Sequence, residues 1–282
     1  MRFELATVDA EFISSLLWDR QTTGIATVDP DPSTSGQRTE LLAGFESADQ
    51  ARQVASFLRD LSPERLTDGL ALTPTVEPIK PESWVNDELV EVEVGATTLS
   101  LEVGTAFGHG AHPTTSLLLD LMADLADSPP TAPDSGGASG YGSVLDFGCG
   151  TGVLALAALA LGASTVVAVD NDPAALAVAT ANLSRNQGVI DPGRVEVIDA
   201  LPSDGRGFDL TLANVLLPVH QQWGPRLQRL ANPGSTLLIS GVLSEQRSEV
   251  IDVYDAFTLV ADRRHGDWTA LTMRHRGARQ SR

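Results

Sequence analysis

The stretch SVLDFGCGTGVLALAALALGASTVVAVD, residues 143–170, decides the fold of this chain. Its first residues form a short apolar run that enters a glycine-rich turn. The next segment, VLALAALALG, is long and apolar enough for a buried helix that ends at Gly162, and TVVAVD predicts a second strand ending at Asp170. A strand, a glycine turn, a helix and a second strand make a β-α-β unit. We therefore predict a doubly wound α/β sheet.

The glycine turn itself narrows the choice of ligand. Gly148, Gly150 and Gly152 are spaced G-x-G-x-G and follow Asp146 on the first strand. The dinucleotide fingerprint is G-x-G-x-x-G, and a phosphate-binding P-loop has a lysine after its glycines, which this turn lacks. An acid at the end of the strand disfavours a pyrophosphate but suits the cationic end of S-adenosylmethionine. We predict that this acid and the three glycines bind S-adenosylmethionine.

Acids at the ends of the next two strands extend this site. Asp170 is placed to accept hydrogen bonds from ribose hydroxyls, as the acid after the second strand does in the dinucleotide fold. VEVIDA predicts a third strand whose Asp199 can meet the adenine amino group. A glycine turn followed by acids is common in α/β proteins, so the specificity lies in the ordered set. Cys149, inside the turn, is interpreted as a small packing residue.

The remaining sequence predicts the rest of the sheet. FDLTLANVLL is a fourth strand that ends in Asn214, and VHQQWGPRLQRLANPG is a helix closed by Pro-Gly. A fifth strand is predicted for STLLISGVL and a helix for SEQRSEVIDVY. The last segment, FTLVADRRHGDWTALTMRH, predicts an antiparallel hairpin. A Rossmann-like doubly wound sheet with a C-terminal antiparallel hairpin is the outline of a class I methyltransferase. Ligands in such sheets bind beyond the carboxyl ends of the strands.

The N-terminal residues predict a separate small domain. Residues 1–78 follow the order β-α-β-β-α-β, with Ser47 as the N-cap of the second helix and GLALTPTVEPI as the last strand. This order predicts a ferredoxin-like α+β domain. The segment 79–102 combines a linker with a β-hairpin, and residues 103–282 form the predicted methyltransferase domain. Because the first domain lacks clustered His, Cys or paired carboxylates, we expect it to recognise the substrate.

Composition excludes several other classes of protein. The net charge of −18 over 282 residues disfavours direct binding to nucleic acid and favours a basic partner. The longest apolar run, 153–163, is shorter than the roughly 20 residues that span a bilayer. The N-terminus has no signal-peptide pattern, and one cysteine allows no intramolecular disulfide. We expect a cytoplasmic, monomeric enzyme without membrane contact.

Five segments together resemble one known family. The segments that carry the resemblance are AFGHGAHPTT, DFGCGTGVLALAALALGA, VDNDPAALAVATANLSRN, ANVLLPV and LLISGVL. Over residues 103–275 the chain resembles the PrmA-type methyltransferases. That family trimethylates the N-terminal amine and lysine side chains of protein eleven of the large ribosomal subunit. The resemblance implies that Thr115, Gly148, Asp170 and Asn214 contact S-adenosylmethionine. It also implies that Phe107 borders the methyl donor and the incoming amine, which Asn214 would orient.

The chain departs from this family pattern near the substrate entrance, and other functions stay open. His109 stands where the family usually has a threonine. His109 and His112 have a spacing seen in metal sites, but no further ligands cluster nearby and we predict no metal. Methylation of another protein or of a small molecule is one alternative. A non-catalytic protein that binds S-adenosylmethionine is an alternative of a different class.

Overall fold

The computed structural model of the chain forms two compact units, Met1–Val85 and Asn86–Arg282. It describes the following residues: 1–6, 9–18, 20, 22, 24–28, 38–45, 47–61, 63, 66, 69–76, 89–102, 112–127 and 141–277. The hairpin predicted within 79–102 falls in the second unit. The linker residues before the hairpin, with Trp84, lie outside the described residues.

The N-terminal unit contains a three-stranded antiparallel sheet and two helices. Its elements are β1 (Arg2–Ala6), α1 (Ala10–Trp18), β2 (Gly24–Val28), β3 (Arg38–Gly44) and α2 (Ala48–Arg59). The strands lie in the order β1-β3-β2, and apolar side chains from β1, β3 and both helices form its core. Ser47 caps α2 as predicted, since its hydroxyl accepts a hydrogen bond from the Gln50 N–H at 3.2 Å.

The predicted last strand of this unit is shorter than the sequence suggested. Within residues 69–76 it is a single antiparallel bridge, in which Arg2 and Thr75 exchange backbone hydrogen bonds of 2.9 and 2.8 Å. Pro74 precedes the bridge and has no N–H to donate to a ladder, which limits the pairing. The ferredoxin-like identity of the unit stays a prediction.

The second unit is built on a seven-stranded sheet. Its strands are β6 (Ser143–Phe147), β7 (Thr165–Val169), β8 (Val195–Ile198), β9 (Phe208–Asn214), β10 (Ala231–Leu243), β11 (Phe257–His265) and β12 (Trp268–His275). They lie in the order β8-β7-β6-β9-β10-β12-β11, with the first five parallel and β12 antiparallel to both of its neighbours. This is the predicted doubly wound sheet with a C-terminal antiparallel hairpin.

Among its described residues, this unit also has five α-helices and a β-hairpin. They are β4 (Leu89–Val94), β5 (Thr97–Glu102), α3 (Pro113–Asp127), α4 (Val153–Ala160), α5 (Pro173–Arg185), α6 (Leu217–Arg229) and α7 (Arg247–Val253). Two apolar clusters pack around the sheet; one includes β5, α3 and α4, and the other includes residues of α6 and α7. No helix within the described ranges has the length and apolar character needed to cross a membrane.

The end of α6 differs from the prediction. The helix stops at Arg229 with Leu230 as its C-cap, and the Pro-Gly pair at residues 233 and 234 lies inside β10. The Leu230 carbonyl already accepts a hydrogen bond from the Phe208 N–H at 2.8 Å, so the chain joins the sheet at once. The pairing of β10 with β9 shifts register between Ala231 and Thr236, where Gly234 adopts a φ of +76°.

The order of the strands reverses between β6 and β9, and three segments meet there. Val215 follows β9 and lies between Gly148, after β6, and Gly241, in β10. A Cβ on Gly148 would lie 2.6 Å from Val215 Cγ1, and a Cβ on Gly241 would lie 2.6 Å from the Val215 carbonyl oxygen. Such approaches are possible only without side chains.

We predict that Gly241→Ala destabilises the protein more than Gly234→Ala. Both glycines lie in β10 with a left-handed backbone, at φ of +80° and +76°, so both changes carry the same conformational penalty. Only Gly241 faces a backbone within contact distance, whereas nothing lies within 4 Å of a Cβ on Gly234. The additional loss in the free energy of unfolding should be about 2 kcal/mol, measured by urea denaturation. Equal losses would contradict the close packing at Val215.

Candidate active site

The predicted site residues of the sheet gather at one edge. Asp146 lies near the end of β6, Gly148 follows β6, Asp170 follows β7, Asp199 follows β8 and Asn214 ends β9. All four strands are parallel, so their carboxyl ends meet on the same side of the sheet. The strand order reverses between β6 and β9, in the middle of this edge, and in sheets of this type ligands bind in the crevice beside such a reversal.

The glycine turn is tied to the end of β7. Gly148, Gly150 and Gly152 have φ of +74°, +52° and +78°, a backbone that side chains other than glycine rarely adopt. The N–H groups of Gly148 and Cys149 donate to the Val169 carbonyl at 2.8 and 3.0 Å. The turn therefore has a defined shape, set by the neighbouring strand.

Asp170 holds the turn from the side of β7. Its Oδ2 accepts a hydrogen bond from the Gly150 N–H at 2.9 Å, and its Oδ1 accepts one from the Asp172 N–H at 3.0 Å. Each carboxylate oxygen can accept a second hydrogen bond, so the side chain retains capacity for ribose hydroxyls. The Asp170 N–H donates to the Ile198 carbonyl at 3.2 Å, which brings Asp199, an exposed residue, beside it.

Asp146 lies beneath the turn and caps the following helix. Its side chain is fully buried, and its Oδ2 accepts a hydrogen bond from the Ala155 N–H at 3.0 Å in the first turn of α4. The residue at the N-cap position, Gly152, has no side chain to do this. Burial raises the pKa of Asp146 to about 7. The hydrogen bond from Ala155 acts to lower this pKa, and the negative charge of Asp170 acts to raise it. The Oδ1 of Asp146 has no partner among the described residues.

Cys149 has the properties of a packing residue. It is buried inside the turn, and burial together with the negative charges of Asp146 and Asp170 raises the pKa of the thiol above its ordinary range. A thiolate is the reactive form of cysteine, so this environment disfavours nucleophilic chemistry.

Thr115 and Asn214, which are 99 residues apart in the chain, meet at the crevice. The Nδ2 of Asn214 donates a hydrogen bond to the Thr115 hydroxyl at 3.2 Å, and Thr115 is buried in the first turn of α3. The Oδ1 of Asn214 is buried and has no partner in the described part of the chain. A buried acceptor without a donor is costly, so this oxygen suits the N–H group of a ligand.

Three other residues that the sequence singled out are Phe107, His109 and His112. Phe107 and His109 lie outside the described residues. His112 bonds through Nδ1 to the Thr114 hydroxyl at 2.8 Å and packs edge-on against Trp268, with 5.6 Å between the ring centroids. Across the described ranges, no group of three or more His, Cys, Asp or Glu side chains could hold a metal ion.

The structure also reveals functional candidates that sequence reasoning missed. Asn182 on α5 and Asn186, the C-cap of α5, bond to the backbone of β5, and Asn182 also reaches the glycine turn. The only sequence signal is their spacing of four residues in ANLSRN, which places them on one face of a helix. Polar residues at this spacing are commonly solvent-exposed, so the pattern alone assigns no role.

The sequence as a whole matches one family. The model of the family described as ribosomal protein L11 methyltransferase (PrmA) matches residues 8–276. The protein named ribosomal protein L11 methyltransferase from Syntrophotalea carbinolica is 34% identical over 270 residues, which cover 86% of this chain and 84% of that relative. The protein of the same name from Pseudomonas paraeruginosa is 32% identical over 296 residues, covering 97% and 94%.

A solved structure supports the fold independently. The structure of SMU.776 complexed with SAH superposes with a TM-score of 0.51 at 11% identity, covering 72% of this chain and 59% of that one. At this identity the similarity concerns the fold alone. The match of the family model over nearly the whole chain, with relatives above 30% identity, shows that the chain belongs to the ribosomal protein L11 methyltransferase (PrmA) family.

Proposed function

We propose that this protein transfers methyl groups from S-adenosylmethionine to amino groups of ribosomal protein L11, at its N-terminal amine and lysine side chains. The observation that carries the proposal is family membership over residues 8–276. The relatives that match most of the chain are named ribosomal protein L11 methyltransferase. A ribosomal protein is a basic partner, which suits the net charge of −18, and its methylation would take place in the cytoplasm.

The residues at the crevice fit S-adenosylmethionine. The glycine turn lets a ligand lie against the backbone, and Asp170 retains acceptor capacity for ribose hydroxyls. The unpaired Oδ1 of Asn214 offers an acceptor to an amino group, while Thr115 holds the other end of the same amide. Asp199 is exposed at the end of β8, where it would meet the adenine amino group.

For methyl transfer the protein's main role is to position the acceptor amine against the methyl group. The bound cofactor supplies a methyl group made electrophilic by its sulfonium. Transfer to the amine would form an N–C bond and break the C–S bond, which would leave S-adenosylhomocysteine. Asn214 orients the amine on the line of attack, and fixing two reactants in this way accounts for much of the acceleration. Phe107 would border the same space.

The acceptor amine must lose its proton before it attacks, because a lysine is protonated at neutral pH. Exclusion of water disfavours the ammonium form, and a neighbouring positive charge disfavours it further. Both effects lower the pKa of the amine inside the crevice. The proton can therefore pass to solvent during binding, without a dedicated strong base.

Incubation with labelled S-adenosylmethionine tests the proposed substrate. The acceptors should be the ribosomal proteins of a strain that lacks this enzyme, with mass spectrometry to locate the label. We expect label on ribosomal protein L11 alone, at its N-terminal amine and lysines. Label confined to a different protein or to a metabolite would overturn the proposed substrate.

We predict that Asn214→Ala lowers kcat at saturating cofactor by about 100-fold, because the orienting amide is lost. Thr115→Val keeps the shape of its side chain and removes the hydroxyl that accepts from Asn214. That variant should mainly raise the KM for the cofactor. Steady-state methylation of ribosomal protein L11 measures both. Near-normal turnover of Asn214→Ala would show that the amide does not orient the amine.

We predict that binding of S-adenosylmethionine strengthens as pH rises from 6 to 8. The Asp146 carboxyl, with its pKa raised to about 7, becomes an anion over this range, and an anion favours a cationic ligand. The gain should be about 5-fold in Kd by calorimetry and should disappear in Asp146→Asn. S-adenosylhomocysteine is the matched control, since it carries the same amino acid group on a neutral sulfur. An equal pH dependence for both ligands would exclude a role for the Asp146 charge.

A further inference from the structure

We propose that Asn182 is a positioning residue that fixes the glycine turn of the cofactor site to helix α5 and strand β5. The proposal rests on the proposed function, because it assigns the turn to cofactor binding. It concerns a residue that would not itself contact the cofactor. Asn182 would act through the backbone of Thr151, in the middle of the turn.

The hydrogen bonds of Asn182 join three separate segments. Its side chain is fully buried, and its Nδ2 donates to the Thr151 carbonyl at 3.0 Å and to the Glu102 carbonyl at 2.9 Å. Its Oδ1 accepts from the Glu102 N–H at 2.7 Å. Both N–H groups of the amide and its oxygen are therefore engaged. One side chain on α5 holds the turn and the end of β5 together.

A second contact places the turn on the same face of α5. A Cβ on Gly152 would lie 3.2 Å from the Cβ of Ala179, three residues before Asn182 on the helix. On its other side the turn is held by Asp170, which accepts from the Gly150 N–H. Thr151 lies between these two anchors, so the Asn182 bond fixes the part of the turn that leads into α4.

Asn186 is a natural control for this role. It is the C-cap of α5, four residues after Asn182, and it accepts from the Ser100 N–H at 2.9 Å and donates to the Ser100 carbonyl at 2.8 Å. Ser100 and Glu102 are alternate residues of β5. The two amides therefore hydrogen-bond to the backbone of β5 as a neighbouring strand would. Asn186 is also buried, and its hydrogen bonds run to Ser100 and to the Asn182 carbonyl rather than to the turn.

The two asparagines therefore predict different losses. Removing either amide weakens the attachment of β5 to α5. Only removal of the Asn182 amide also releases the Thr151 carbonyl, so this part of the glycine turn must then be ordered when the cofactor binds. The cost of that ordering appears as weaker binding. Once the cofactor is bound, the turn has its productive shape, so kcat at saturation should change little.

Comparison of Asn182→Ala with Asn186→Ala in the full-length chain tests this. We expect Asn182→Ala to raise the Kd for S-adenosylhomocysteine by about 10-fold in calorimetry, with kcat at saturating cofactor within about 2-fold of wild type. Hydrogen exchange of the amides at 148–152 should become faster in the ligand-free protein. Asn186→Ala should leave both the Kd and these exchange rates close to those of wild type.

An equal loss of affinity in both variants would overturn the proposal, because it would mean that the hairpin alone matters. Unchanged exchange at 148–152 in Asn182→Ala would also overturn it. If the alanine variant does not fold, Asn182→Asp keeps the volume and the acceptor for Glu102 but loses both donors, and the same outcomes apply. Exchange rates and S-adenosylhomocysteine affinity do not depend on the methyl acceptor. Failure to methylate ribosomal protein L11 would therefore count against the proposed function alone.

Discussion

The close approach of Val215 to Gly148 and Gly241 is the contact on which the site depends. At the point where the order of the strands reverses, the loop after β9 fits between the turn after β6 and the bulged end of β10. Neither glycine has room for a side chain on this side. Because Val215 is fixed there, the preceding residue, Asn214, ends its strand beside the turn and within reach of Thr115. The packing of these three segments thus sets the position of Asn214, the residue proposed to orient the acceptor.

The glycine turn gains its rigidity from side chains around it, since glycines contribute none. Asp170 accepts from one of its N–H groups, Asn182 donates to one of its carbonyls, and Asp146 caps the helix that follows. Glycines lose much conformational entropy when they are ordered, and these hydrogen bonds offset that loss on folding. The turn is then prepared for a ligand, while Oδ1 of Asn214 is left as an acceptor within the described site.

The sequence predicted those helices, strands and turns whose structure is determined by residues close together in the chain. The glycine spacing, the apolar runs of β6 and α4 and the alternating pattern of the last hairpin each identify an element from its own residues. The contacts of Asn182 were not predictable, since they join α5 to Glu102 across 80 residues. The end of α6 was misplaced for the same reason, because the pairing of Leu230 with Phe208 is set by the sheet. Phe107 stays a prediction from the family resemblance.

The buried histidine of α6, His220, is held in the core and is a poor candidate for a general base. It lies six residues after Asn214. Its Nδ1 lies 2.9 Å from the Tyr254 hydroxyl, its Nε2 lies 3.5 Å from the Ser240 carbonyl, and burial lowers its pKa to about 4. Both ring nitrogens are thus engaged within the core. A positive charge on the methyl donor and the loss of water can deprotonate an amine without such a base, so the chemistry places few demands on side chains. Selection of the substrate then falls to features other than a catalytic base, and the N-terminal unit is the part of the chain expected to supply them.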